Sequence, residues 1–321
     1  MPDGSGRPEL WLGEWCGVTN PSGISSFSHR PDASSEEVPV KASTSSHQEI
    51  RQIAFGVGYR MLGSRADAED IAQETLTRVL DPIANGEIER PEAFTTTVAT
   101  RLALDELKSA RRRREQYVGP WLPEPRIDSS PDPVEIADDV SYALLVVLDR
   151  LSPLERAAFL LRDVFALDYG DIGDALDRSP VAVRQLVSRA RKNVRSQSAA
   201  PVHDHDEHRR LVAEFLEAAG GGDIGGIVAL LADDAELLHD GGAHKKAARH
   251  PIRGSVRIAR SLAKVFPRLS ADASIRACVV NGEPGFSIDD GDGIRLVGLV
   301  HGVERIERIY FVYNPDKLTG T

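Results

Sequence analysis

The sequence predicts three units in series, two all-α and one α+β. Three observations carry this: two helix-start signals framing a tight turn within residues 151–195, amphipathic helical stretches across residues 63–115, and a change beyond Gln197 to apolar strands punctuated by glycine. At 321 residues the chain suits two or three domains, each large enough to bury its own core.

Residues 1–45 are rich in Gly, Pro and Ser with little periodicity, which reads as an extension with no required fold. Trp11, Trp15 and Phe27 stand out there, as a short docking motif or as part of an over-long translated start. Residues 63–80, GSRADAEDIAQETLTRVL, form a helix capped by Ser64 with Asp67 three residues on. Ile71, Ala72, Thr75, Leu76, Val79 and Leu80 make its buried stripe. Asp67, Asp70 and Glu74, with Gln73 and Thr77 beside them, share another side. That side suits a basic protein partner, although an acidic helix face is usually just solvated.

Residues 90–115 read as one long helix in which Phe94, Val98 and Leu102 recur at four-residue steps, opposite Arg101, Asp105, Lys108 and Arg112. Lys108, Arg111, Arg112, Arg113 and Arg114 cluster at its end, as a phosphate-binding group or as charge complementing the helix dipole. A linker over 117–138 follows, with WLPEP at 121–125 and the proline-rich SSPDP. Its prolines stiffen it, leaving Trp121 either packed on a neighbour or in an exposed patch.

Ser152, Pro153 and Glu155 carry the N-cap, first-turn and capping-box signals of a helix start, and Ser179-Pro180 repeats the start. Between them lie a short helix over 169–176 and the turn Asp177-Arg178. In the last helix Val183, Leu186, Val187 and Ala190 face inward. Arg184, Gln185, Ser188, Arg189, Arg191, Lys192 and Arg195 face outward with no acid among them, the chemistry that reads base edges and phosphates in a major groove. Beyond 197, helices over 207–219, 224–231 and 255–266 and strands over 273–280, 285–288, 294–300 and 303–313 predict a curved antiparallel sheet packed by helices.

A net charge of −10 argues against a protein that coats nucleic acid non-specifically; the basic residues are local. Cys16 and Cys278 are far apart and lack metal spacing, so neither a disulfide framework nor a metal site is expected, and no cofactor. The longest apolar run, 143–148, is too short for a membrane span and no signal segment opens the chain, so a cytoplasmic location and no membrane partner are expected.

Taken in this order, DAEDIAQE, the 94–114 helix and the 179–195 helix resemble the two-domain core of the extracytoplasmic-function (ECF) sigma factors, the promoter-recognition subunits of bacterial RNA polymerase. The resemblance implies a region 2 bundle over 46–116 and a region 4 helix-turn-helix domain over 139–198, with core RNA polymerase and promoter DNA as partners. It implies that Asp67, Asp70, Ile71, Gln73 and Glu74 bind core polymerase. Phe94, Arg101, Lys108 and Arg111 to Arg114 would recognise and melt the downstream (−10) element, while Ser179, Arg184, Gln185, Ser188, Arg189 and Arg191 would read the upstream (−35) element. Thr75-Leu76 stands where many relatives place an aromatic residue, and Phe94 where many have Trp.

The order of elements over 203–318 resembles the SnoaL-like, NTF2-like cone fold. WLPEP, HDGGAHKKAARHPIRG at 239–254 and YNPDKL at 313–318 resemble the signatures of the sigma-J group, whose fused SnoaL-like domain regulates the sigma core in cis. The implied regulatory residues are Trp121, Leu122, Pro123, Glu124, Pro125, Asp240, Gly241, Gly242, His244, Asn314, Pro315, Asp316, Lys317 and Leu318. Ala243 replaces the third glycine of the group's DGGGK pattern and His244 its lysine. The fold also hosts enzymes, and His239, Asp240, His244, His250, Asp289, Asp290 and His301 are available acids or bases, but no nucleophile elbow, phosphate loop or metal spacing accompanies them. The reading is therefore a non-enzymatic sigma factor autoregulated by its third domain, with a small-molecule ligand of that domain as a further expectation. The runners-up are a ligand-responsive one-component DNA-binding regulator, and a sigma factor whose third domain retains enzyme activity.

Overall fold

The computed structural model describes residues 9–11, 42–115, 117, 119–127, 141–197, 205–243, 250–269, 273–289, 293–302 and 304–318. Residues 12–41, with Trp15 and Phe27, and the SSPDP segment lie outside them.

Helices α1 (Ala42–Leu62), α2 (Arg65–Ala84) and α3 (Pro91–Glu115) form the first bundle. Ser64 caps α2, accepting from the Asp67 N–H at 3.3 Å. A Cβ on Gly58 of α1 would come within 3.0 Å of the Ala68 backbone, so this glycine lets α1 and α2 approach closely. On α3 the expected Phe94–Val98–Leu102 stripe is displaced by one position: Thr95, Thr96, Ala99, Thr100, Ala103, Leu107 and Ala110 are buried, while Phe94, Val98 and Leu102 are half-buried. Mostly small side chains face the bundle because the helices pack close, while Phe94, Val98 and Leu102 sit at its margin.

The second unit contains α4 (Tyr142–Asp149), α5 (Pro153–Phe159) continued by a π-helical turn (Leu160–Val164), α6 (Tyr169–Leu176) and α7 (Pro180–Gln197). Ser152 and Glu155 form the expected reciprocal capping box. Asp168 caps α6, which ends on Asp177 in the left-handed region (φ 54°). Contrary to the expectation of separate cores, the two helical units share one: Met61, Leu62, Ala103 and Leu107 join the same buried cluster as Leu148, Leu161, Leu176 and Leu186.

The third unit runs α8 (His205–Gly221), α9 (Ile224–Leu230), β2 (Leu231–Asp240), β3 (Ile252–Arg253), α10 (Ser255–Val265), β4 (Ser274–Val280), β5 (Glu283–Asp289), β6 (Ile294–His301) and β7 (Ile306–Val312). A 3₁₀ turn at Pro315–Lys317 follows. The sheet order is β1-β4-β5-β6-β7-β2-β3, where β1 (Glu9–Trp11) pairs parallel with β4, so these three residues of the N-terminal extension are ordered into the sheet. The sheet is mixed and not purely antiparallel as expected. β2 pairs parallel with β7, Leu237 opposite Ile309 and Asp240 opposite Val312, because the chain leaves β2 through the α10 crossover and the meander brings β7 back in the same direction.

Strand alternation gives this sheet two apolar faces. One carries Phe286 and Phe311 against Phe215 and Phe266 of the helical layer, and Phe286 fits because Gly298 opposite it has no side chain. The other carries Leu238, Val297, Leu299, Tyr310 and Val312, covered by Leu122 of the linker and by Tyr142, Ala143 and Val146 of α4. The rings of Tyr142 and Tyr310 meet edge to face at 5.5 Å. Among the described residues no helix is long and apolar enough to cross a membrane.

Candidate nucleic-acid interface and interdomain joint

Helix α7 is positioned by Val183, Leu186, Val187 and Ala190, all buried as the sequence predicts. Arg184, Gln185, Ser188 and Arg189 are exposed, and Ser179 accepts from the Ala182 N–H at 3.3 Å to cap the helix. Arg189 pairs with Glu155 at 2.9 Å and Arg191 with Asp163, so α5 and the π-helical turn after it hold two of the arginines expected to read the upstream element. Arg184 lies over the Tyr169 ring at 5.1 Å.

On α2, Asp70, Gln73 and Glu74 are exposed and Asp67 is half-buried. Ile71 is 6% exposed and belongs to the core, in the buried stripe where the sequence places it, with its side chain against α1.

The expected downstream-element face is partly occupied. Arg101 donates to the Ala175 carbonyl at 3.0 Å and the Asp174 carbonyl at 2.5 Å, satisfying the open end of α6, and Arg90 pairs with Asp171 at 2.7 Å. Arg114 also leaves the expected phosphate cluster. It bonds Asp149 and the Leu62 carbonyl, and its guanidinium stacks 3.6 Å from the Trp121 ring centre. Lys108 is exposed and pairs only locally with Asp105 at 2.8 Å. Arg111, Arg112 and Arg113 lie on the backbone of α3, with side chains outside the described ones.

The three motifs expected to be regulatory converge. Asp240, fully buried at the end of β2, accepts from the Leu122 N–H at 2.8 Å, from Lys317 Nζ at 2.7 Å and from the Tyr117 hydroxyl. Lys317 also donates to the Leu122 carbonyl and sits 4.1 Å from the Trp121 ring centre, so Trp121 is held between two cations, Arg114 and Lys317. Burial lowers the Lys317 pKa while the Asp240 charge opposes that, and burial beside Asp240 pushes the Tyr117 hydroxyl up. Asn314 donates to Tyr117 at 2.7 Å and caps the 3₁₀ turn. Gly242 (φ 58°) is required here, since a Cβ would lie 2.7 Å from the Asn314 side chain. Gly241, Leu318, Leu122, Pro123 and Pro125 are buried, Pro315 and Asp316 exposed, and His244 lies outside the described residues.

WLPEP also grips the helical core. Glu124 donates its N–H to the Gly63 carbonyl at 2.9 Å, and its carboxylate accepts from the Arg65 N–H at 2.6 Å, at the positive end of α2. Tyr142 donates to the Pro123 carbonyl at 2.7 Å. Sequence reasoning missed Tyr59, Tyr117, Tyr142, Asp149, Arg156 and Asn281. Tyr59 donates to the Glu124 carbonyl at 2.6 Å and accepts from Asn281 at 2.9 Å, and Arg156, buried, donates to Met61, Leu148 and Asp149. Asn281-Gly282 carries a readable hairpin-turn signal, with φ of 51° and 74°, but nothing in it names Tyr59 or Arg126 as partners.

Among the described candidate acids and bases of the third unit, His239 and Asp240 take opposite faces of the sheet. His239 touches Phe311 and Tyr313 on the helical side, with burial bringing its pKa to about 4, whereas Asp240 faces the linker and His250 is exposed. His244 and Asp290 lie outside the described residues.

The family models for Sigma-70 region 2 and Sigma-70, region 4 match residues 47–113 and 141–194. The chain is 36% identical over 293 residues to the ECF RNA polymerase sigma factor SigJ of Mycobacterium tuberculosis, covering 86% of this chain and 93% of that one. It is 34% identical over 203 residues to the probable ECF RNA polymerase sigma factor SigI of the same species, covering 61% and 68%. The crystal structure of the M. tuberculosis SigJ superposes with a TM-score of 0.70 at 32% identity, covering 86% of this chain and 98% of that one.

Proposed function

The chain belongs to the ECF RNA polymerase sigma factors, and from that premise we propose that it directs core polymerase to specific promoters under the control of its own third unit. It works where polymerase works, in the cytoplasm. Core polymerase docks on the exposed Asp70, Gln73 and Glu74 of α2, and α7 reads the upstream element. Nucleotidyl transfer belongs to the polymerase. The third unit is a regulator without an enzymatic role, a reading supported by the four phenylalanines that fill its helical side and by the motifs that face the linker instead.

One observation carries the control: Asp240 of the third unit buries its carboxylate against the Leu122 N–H and Lys317 at the joint where WLPEP meets α2. Holding WLPEP there holds the two helical units on their shared core, with Arg101 turned into α6 and away from DNA. The attachment is intramolecular, so weak contacts act at high effective concentration and replace a separate inhibitor.

Run-off transcription with core polymerase tests this with the full chain, a chain ending at Gln197 and one lacking residues 314–321. Both truncations are expected to give more promoter-specific transcript than the full chain; equal or lower output would overturn the inhibitory control. Asp70→Arg with Glu74→Arg is expected to abolish core binding without altering the circular dichroism spectrum, and unchanged core affinity would remove the docking assignment.

A further inference from the structure

The outward stripe of α7 begins with a side chain that has no hydrogen-bonding group. Val181 stands at the second position of the helix, just after Pro180, and is 61% exposed, more than any other large hydrophobic residue among those described. Steps of three, four and seven residues carry it onto the face of Arg184, Gln185 and Ser188, all exposed, while Val183, Leu186 and Val187 turn into the core. Packing of the fold therefore makes little use of Val181.

In a helix-turn-helix the N-terminal residues of the second helix enter the major groove and meet base edges. A valine there can bond neither a phosphate nor a polar base edge. What the groove offers an apolar side chain is the C5-methyl group of thymine, which the other three bases lack. Branching at Cβ already confines the valine to few rotamers, so little freedom is lost when it packs on a base.

We propose that Val181 is a specificity-determining residue for the upstream element, packing on the methyl group of one thymine and setting the preference for T at that position. A rise of about 1.5 Å per residue puts it roughly 4.5 Å from Arg184 along α7, so this thymine lies within about two base pairs of the base that Arg184 meets. The assignment rests on the reading of α7 given above.

The full-length chain, assembled with bacterial core polymerase, is used to select duplexes from a pool randomised over the upstream element. Each thymine of the selected element is then replaced singly by uracil, which keeps the same polar edges and lacks only the methyl. At one thymine the replacement is expected to weaken holoenzyme binding about fourfold, the worth of one buried methyl. Val181→Ala, at an unchanged melting temperature, should bind that thymine duplex and its uracil counterpart within about twofold of each other. The other uracil replacements should weigh equally on parent and variant. The same methyl effect in both chains, or no thymine whose methyl matters to the parent, would overturn the assignment. So would a variant weakened equally on the thymine and uracil duplexes, which would place Val181 against polymerase instead of a base. Selection of no element at all by the parent holoenzyme would remove the reading of DNA by α7 and this inference with it. A selected element without a methyl effect dependent on Val181 removes the inference alone.

Discussion

At the scale of single residues, the joint depends on a buried ion pair whose partners belong to different motifs. Lys317 and Asp240 are almost wholly enclosed, and each satisfies the other along with Leu122. Removing one partner leaves an uncompensated buried charge, so Lys317→Met is expected to lose about 3–5 kcal/mol of docking and fold stability. Asp240→Asn with Lys317→Met should lose less than the two single changes added together, and urea denaturation of all four chains checks that non-additivity. Glu283, opening β5, has its carboxyl pushed up to about 7 by burial, against the pull of a Tyr142 backbone N–H. A carboxyl raised in the folded state adds stability that is complete below its ordinary value of 4.5 and is lost as pH climbs through about 7. Glu283→Gln should therefore melt higher than the parent at pH 8, by roughly 1–3 kcal/mol, with the gap vanishing near pH 4.5. A constant gap across that window would show that the carboxyl does not titrate in the fold.

At the scale of elements, starts and stops were legible because caps are local chemistry. Ser64, Ser152 with Glu155, and Ser179 all cap where the sequence places them, and Ser152→Ala is expected to cost about 1 kcal/mol, read from the chemical denaturation midpoint. The inward face of α7 was equally legible, since Val183, Leu186, Val187 and Ala190 repeat at helical spacing. The face of α3 was not. A stripe of Thr and Ala is chosen by how closely α1 approaches, and that distance is a tertiary fact that hydrophobic size cannot signal. The parallel pairing of β2 with β7 was hidden for a similar reason: alternation tells which face a residue takes but not which strand lies beside it. Arg101 looked like a DNA contact because its charge is all a sequence shows, while its partners, the last carbonyls of α6, lie more than seventy residues away. Arg101→Ala should accelerate amide exchange in α6 while leaving α1 and α2 protected; equal protection in α6 would mean that the arginine adds nothing to the packing of α6 on α3.

For the whole molecule, the joint links the third unit to α2, the helix proposed to dock core polymerase, through a chain of contacts short enough to test. Asn281 is 1% exposed; its side chain and N–H bond the Arg126 backbone, and its amide reaches the Tyr59 hydroxyl, which in turn donates to Glu124 at the start of α2. One hydroxyl therefore joins α1, the linker and the β4–β5 hairpin. Tyr59→Phe removes it and keeps the ring stacked near Phe55 at 6.2 Å, so the bundle should survive while docking weakens. If the contact acts as a latch, Tyr59→Phe and Asn281→Ala will be coupled by about 1 kcal/mol in a double-mutant cycle on the docking equilibrium, read by the distance between labels on α1 and β6. Additive effects would reduce it to two unrelated packing contacts. Coupling has a second consequence, because linkage is reciprocal: whatever loosens the linker from α2 must change affinity for a partner on α2 by the same factor by which that partner loosens the linker. Core polymerase is then expected to bind the Tyr59→Phe chain more tightly than the parent, by at most the factor by which the substitution loosens docking. Equal affinity would show that the linker's attachment to α2 has no effect on core binding.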